Sequence, residues 1–262
     1  MGGGIWGWLL AWGLFWQAGV AQAVLQRQEV PYEDGSTKLA GYLVWDDALA
    51  GKRPGVLVVH EWWGLNDYAR SRADQLAALG YVAFAADMYG VGHVTEHADE
   101  AKGWMSQITA NVSAWQRRAA LALARLQAHP MVDSQRTAAI GYCFGGATVM
   151  QMAYAGTPLK GVASFHGSLP PVPEEVATLI PRVFIAHGDA DPFVPAERIE
   201  AFRKGLNRVG ADWQMHLYGG ARHSFTNPAA DGKKNPDILH NPAADGRSWA
   251  ELQQFLTEIF AR

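Results

Sequence analysis

Short apolar runs rich in β-branched residues alternate along this chain with stretches whose apolar positions recur at helical spacing. Gly55-Val-Leu-Val-Val-His60 is continuously apolar, the pattern of a strand buried on both faces of a parallel sheet. Residues 82–86, 137–140, 161–165, 183–187 and 213–218 repeat that pattern and predict further strands. Between them, Asn66 is placed to cap a helix with the stripe Ala69, Ala73, Leu76 and Leu79, stopped by Gly80. Trp115, Ala119, Ala122 and Leu126 share one face of a second helix, which Pro130 ends. Residues 147–155 are apolar with helical character. Pro195 opens a helix with the stripe Ile199, Phe202, Leu206 and Val209 and a stop at Gly210. The last helix carries Trp249, Leu252, Leu256 and Ile259, and Ser248-Trp-Ala-Glu251 reads as its capping box. Residues 26–36 read as a polar start, 39–45 as an edge strand or hairpin arm, and 93–111 as a loop and a helix. Strands and helices alternating at this rhythm predict an α/β fold with a mostly parallel central sheet and helices on both faces.

Composition narrows the partners. The 262 residues carry a net charge of −3 with Lys and Arg scattered, so there is no basic field for nucleic acid, and a small molecule is the expected partner. Residues 24–262 are read as one domain, and a monomer is expected. One cysteine allows no internal disulfide. Residues 5–21 are almost wholly apolar and lead to Ala21-Gln22-Ala23, a small-x-small cleavage pattern. Residues 1–23 therefore read as a leader for export, with a periplasmic location and no stable membrane association once it is removed. The competing reading is an uncleaved anchor, since a span needs roughly 20 apolar residues.

In open α/β sheets, chemistry gathers at the carboxyl ends of the strands, which selects Glu61, Asp87, Cys143, His166, Asp191 and His223. The lone cysteine lies in Gly141-Tyr-Cys-Phe-Gly-Gly146, at a strand-to-helix turn. Glycines there permit a sharp reversal and a close approach of helix to strand, so the motif reads as a nucleophile elbow with a thiol in place of a hydroxyl. Without that context a lone cysteine is a small buried hydrophobe. A thiol with an ordinary pKa near about 8.5 needs a base to form thiolate, and the base needs an orienting acid. His223, in a glycine-rich turn after the last strand, supplies the base. Asp191 or Asp189, after the preceding strand, supplies the acid. The order nucleophile, acid, histidine is that of α/β-hydrolases.

The matching stretches are His60-Glu-Trp-Trp-Gly-Leu-Asn66, Asp87-Met-Tyr-Gly90, Gly141-Tyr-Cys-Phe-Gly-Gly146, His187-Gly-Asp-Ala-Asp-Pro-Phe-Val-Pro195 and Arg222-His-Ser-Phe225. Over about residues 56–260 the chain resembles the dienelactone hydrolase family, cysteine members of the α/β-hydrolase fold. The resemblance implies a carboxylic ester hydrolase of the carboxymethylenebutenolidase type, with Cys143 as nucleophile, His223 as base and Asp191 rather than Asp189 as its orienter. It implies that Glu61 contacts the resting thiol and shifts when substrate binds, and that the backbone N–H groups of Trp62 and Phe144 hold the oxyanion. A neutral resting thiol beside Glu61 is in turn a candidate protection of Cys143 from oxidation outside the cytoplasm. Relatives acting on dienelactone bind its carboxylate with arginines, one of them four residues after the histidine. Here that position is Asn227, and Lys102 is the candidate for the other, so the hydrolase chemistry is better supported than dienelactone as substrate.

Trp62 and Trp63 line a pocket or pack the core. His93 and His97 have metal-ligand spacing on a helix but read as a solvated face, and no glycine loop of dinucleotide type occurs, so no cofactor is expected. Asn227-Pro-Ala-Ala-Asp-Gly232 recurs as Asn241-Pro-Ala-Ala-Asp-Gly246, and the segment between the last strand and last helix reads as a long loop, a lid candidate. Two other functions fit the same residues: a non-catalytic envelope protein binding a ligand or partner through Trp62-Trp63, and an acyltransferase sharing the thioester.

Overall fold

The computed structural model describes Met1 and residues 24–261, so the leader assignment lies outside the described residues. The elements are β1 (Leu25–Asp34), β2 (Thr37–Asp46), β3 (Arg53–Val59), α1 (Asp67–Ala78), β4 (Val82–Ala86), α2 (Ala98–Thr109), α3 (Val112–Gln127), β5 (Val132–Tyr142) and α4 (Phe144–Tyr154). After these come β6 (Gly161–Phe165), β7 (Arg182–Gly188), α5 (Ala196–Arg208), β8 (Trp213–Tyr218) and α6 (Pro242–Phe260), with a 3₁₀ turn at Pro228–Lys233. One eight-stranded sheet has the order β1-β2-β4-β3-β5-β6-β7-β8. The β1–β2 and β2–β4 pairs are antiparallel and the others parallel. This is the α/β-hydrolase fold.

Alternation along β3 divides the core into two layers. Leu57 and Val59 face Trp115 and Ala119 of α3, Val149 and Met150 of α4, and Phe202 and Leu206 of α5. Val56 and Val58 face Ala69, Ala73 and Leu76 of α1 and Leu252, Leu256 and Ile259 of α6. Both faces are dry, which is why the central strands read as unbroken apolar runs rather than alternating ones.

Two boundaries differ from the sequence reading. The polar start is a ten-residue strand, β1, paired along its whole length with β2 through a turn in which Gly35 has φ +61°. Its residues are polar because it is the sheet edge, where solvent covers one side and Pro31 is tolerated. The last helix begins at Pro242, not Ser248: Asn241 caps it by accepting a hydrogen bond from the Ala244 N–H at 3.1 Å, with Pro242 in the first turn. Ser248 is already inside the helix and donates to the Asp245 carbonyl, while Glu251 accepts from the Tyr218 hydroxyl, so the apparent capping box caps nothing.

A buried arginine ties these layers to the loop after β8. The Arg72 guanidinium of α1 lies over the rings of Tyr68, Tyr142 and Trp249 at 5.2, 5.6 and 5.3 Å. It donates to Asp245 Oδ1 and to the Thr226 carbonyl, each at 2.6 Å. Charge, aromatic faces and a carbonyl thus fix the chain three residues beyond His223.

The crossing of α4 over the β3 and β5 ends allows no side chain. A Cβ on Gly145 would stand 2.2 Å from the Val59 carbonyl oxygen, and one on Gly141 would stand 2.0 Å from the Gly145 carbonyl oxygen. Both obstacles are backbone, so no rotamer relieves them. Gly145→Ala is expected to lower the unfolding free energy by at least about 2 kcal/mol, read as the shift of the urea midpoint. A midpoint equal to wild type would mean that this contact is not close.

Candidate active site

Cys143 stands between β5 and α4 with φ +54° and ψ −111°, a conformation that costs a non-glycine residue of the order of 1–3 kcal/mol. Its N–H is shared between the Phe165 carbonyl at 3.0 Å and His166 Nδ1 at 3.2 Å. These bonds and the glycine crossing hold the bend, which leaves the thiol partly exposed at the end of the sheet. Phe144 is the first residue of α4, so its N–H belongs to the turn that lacks intrahelical acceptors.

The imidazole of His223 reaches this thiol from the loop after β8, within hydrogen-bonding range of the sulfur. Its Nδ1–H donates to Asp191 Oδ2 at 2.8 Å, and Asp191 Oδ1 accepts from the Phe193 N–H at 2.9 Å. Asp189 is exposed and points its backbone N–H to Tyr218, so it is not the partner. Burial alone would lower the His223 pKa. The charge on Cys143 and hydrogen bonds with Asp191 and the sulfur outweigh it and hold the ring well above its usual value, favouring the imidazolium form.

Two neighbours fix this arrangement from behind. His166, with φ +40°, accepts from the Cys143 N–H through Nδ1, so Nε2 carries the proton and donates to Thr226 Oγ1 at 2.7 Å. Burial, followed by the charges of His223, Arg72 and His187, pushes its pKa well below the ordinary value, as this neutral tautomer requires. Thr226 Oγ1 in turn meets the Tyr68 hydroxyl at 2.5 Å. His60 accepts from the Met88 N–H, and His187 is buried behind Asp191 without a hydrogen-bond partner among the described residues.

Glu61 lies in the site but does not take the expected partner. Its oxygens accept from Ser224 Oγ and Asn227 Nδ2, both at 2.6 Å, while the sulfur pairs with His223. Asn227 Oδ1 accepts from the Ala229 N–H, capping the 3₁₀ turn, and Asn227 is 3% exposed. The position four beyond the histidine therefore braces Glu61 and does not face the solvent side of the site. Asp87 does not line the cavity beside the thiol: its carboxylate accepts from the Tyr89, Gly90 and Ala40 N–H groups and shapes the turn after β4. Lys102 is exposed on α2 and His93 precedes that helix, with Nδ1 at the Gly90 carbonyl, while His97 is its N-cap; the two histidines do not share a helix face.

In front of the thiol lies a cavity of about 350 Å³ lined by Trp62, Trp63, Met105, Phe193 and Ile238, with Glu96 and Lys233 as its ionisable residues besides Cys143 and His223. The tryptophans thus serve the pocket, and Trp62 also packs on the core. Part of the supposed lid is built: Ile238 bridges to His223, and the Leu239 N–H donates to the His223 carbonyl at 3.1 Å. Ser224, Phe193 and Lys233 have no role assigned from sequence; Ser224 and Phe193 lie within the matching stretches around His223 and Asp191, and Lys233 directly follows the repeated motif.

Burial raises the Glu61 pKa above its usual 4.5, against the hydrogen bonds of Ser224 and Asn227 and the charges of His223 and Lys233. A carboxyl with a raised folded-state pKa contributes stability that is complete below its unfolded value and is lost as pH rises through the folded one. The stability of wild type relative to Glu61→Gln is therefore expected to fall as pH rises from about 4.5 towards neutrality, measured by urea unfolding at each pH. A difference that stays flat, or grows with pH, would contradict this electrostatic account.

The dienelactone hydrolase family model matches residues 39–260. The solved structure named m3DLH superposes with a TM-score of 0.87 at 40% identity, covering 90% of this chain and 99% of its own. A dienelactone hydrolase-like promiscuous phosphotriesterase, P91, from metagenomic libraries superposes equally well at 39% identity with the same coverage. The Aquifex aeolicus protein named "Putative carboxymethylenebutenolidase" is 29% identical over 229 residues, 85% of this chain and 94% of its own. With the family model spanning β3 to β8, the elbow and the histidine loop together, this chain belongs to the dienelactone hydrolase family.

Proposed function

We propose that this chain hydrolyses small carboxylic esters or lactones through a Cys143–His223–Asp191 triad. The observation that carries the reading is the His223–Asp191 hydrogen bond at 2.8 Å, on a ring that also reaches the only thiol of the chain. In the first half-reaction the thiolate adds to the acyl carbon, and the oxyanion is held by the N–H groups of Trp62 and Phe144. Collapse breaks the acyl–oxygen bond, His223 protonates the departing alkoxide, and a thioester remains on Cys143. Water then gives its proton to His223 and adds to the thioester; collapse releases the acid and restores the thiolate–imidazolium pair. Asp191 keeps Nδ1 protonated and the ring oriented throughout.

The relationship to P91 supports a second substrate class, phosphotriesters, in which the same thiolate would add to phosphorus and break one phosphorus–oxygen ester bond, the departing alkoxide taking its proton from His223. For residues 1–23, the apolar run and the Ala21-Gln22-Ala23 pattern support a removed leader and a periplasmic enzyme. Expression of the whole chain in a Gram-negative host is expected to yield periplasmic protein starting at Val24. Protein retained in the membrane with Met1 intact would refute that proposal.

Cys143→Ala is expected to abolish turnover of an activated aryl ester while leaving the circular dichroism spectrum unchanged. Asp191→Asn is expected to lower kcat by roughly 10³–10⁴-fold, because the wrong imidazole tautomer then faces the thiol. In rapid-quench mass spectrometry the wild type should carry one acyl group on Cys143. Full activity of Cys143→Ala, or an acyl group on another residue, would refute the assignment.

A further inference from the structure

The residues around the cavity specify more than an ester bond. Trp62 and Trp63 meet edge to face, with ring centroids 5.0 Å apart and planes at 63°, and form an aromatic corner beside Cys143. Phe193, 48% exposed, stands on the other side with its ring 5.1 Å from that of His223. Met105 and Ile238 complete apolar walls around the thiol. Such a space accepts a planar ring, which gains contact on its faces and loses little hydration.

The cavity's charges are not arranged to bind an anion. Lys233 is the one lysine or arginine among its lining residues, and its ammonium lies 4.2 Å from the centre of the Trp63 ring, a cation–π contact. Its charge also acts on the buried Glu61 carboxyl, so two features of the protein already engage it. Asn227 is occupied on both its polar atoms, by Glu61 and by the Ala229 N–H. Glu96 adds a carboxylate to the lining itself. A substrate carboxylate entering here would shed its water, meet Glu96 and gain no unengaged cation, because the His223 ring is already taken by Asp191 and the sulfur.

We propose that this site selects uncharged, ring-bearing esters and discriminates against esters that carry a carboxylate. The proposal rests on the hydrolase reading and names its substrate class. It sets this chain apart from the carboxylated lactone implied by the family resemblance. Aromatic burial supplies the affinity, and unfavourable desolvation of the anion beside Glu96 supplies the discrimination.

The test is a matched pair, 4-acetoxybenzoate and its methyl ester, which share acyl group and ring and differ in one charge. Each kcat/KM is divided by the ester's own hydroxide-catalysed rate to remove intrinsic reactivity. The methyl ester is expected to be favoured by about tenfold or more, carried mainly in KM, and Glu96→Gln is expected to narrow that ratio. Equal rates, or preference for the carboxylate with a loss of that preference in Lys233→Met, would overturn the proposal. Should neither ester be hydrolysed, the specificity is judged on binding alone, separately from the hydrolase reading. Tryptophan fluorescence of Cys143→Ala titrated with methyl 4-hydroxybenzoate and with 4-hydroxybenzoate should then show tighter binding of the uncharged compound, and the reverse order would overturn it.

Discussion

The structure depends on a contact in which two backbones meet without side chains between them. Gly145 of α4 packs on the Val59 carbonyl of β3, and Gly141 of β5 packs on Gly145 itself. That closeness forces the residue between strand and helix into φ +54°, and the residue there is Cys143. The strain is local and is held by surrounding interactions: two acceptors for the Cys143 N–H, a dry sheet on both faces, and an arginine-pinned loop on the far side. The same geometry that would destabilise an isolated turn aims the sulfur at His223.

The electrostatics follow from burial. Three ionisable groups beside the thiol are nine-tenths or more buried, and each settles into a different state because its partners differ. His223, with Asp191 on one nitrogen and sulfur near the other, is held towards the charged form. His166, which must accept a hydrogen bond through Nδ1, is held neutral. Glu61 is pushed towards its protonated form by desolvation but is braced by two donors. The division of labour is set by hydrogen-bond partners, since all three residues share the same low-dielectric surroundings.

How much of this was legible in the sequence follows from how local each determinant is. The five strands β3 to β7 announce themselves because both of their faces are buried, so nearly every residue of their central runs is apolar. The elbow is legible because glycines at three fixed positions have few other uses next to a strand. Asp191 and His223 are legible as strand-end residues in chain order. What escaped is set by contacts across the fold. β1 is polar because it is an edge, and only its pairing with β2 makes it a strand. The two copies of Asn-Pro-Ala-Ala-Asp-Gly both begin helical turns capped by asparagine. One stops after six residues, where Lys234 turns to φ +53°, and the other runs for 19 because an apolar stripe follows it. The partners of Glu61 lie 163 and 166 residues away, beyond the reach of any spacing rule.

The central proposal is that an imidazole oriented by Asp191 activates the Cys143 sulfur in a partly exposed site. The most direct measurement is the second-order rate of alkylation by iodoacetamide at pH 7, in wild type and in His223→Gln. The account predicts wild-type alkylation at least about tenfold faster than that of free cysteine, falling to the free-cysteine rate or below when the imidazole is removed. A rate at or below that of free cysteine, unchanged by His223→Gln, would contradict it.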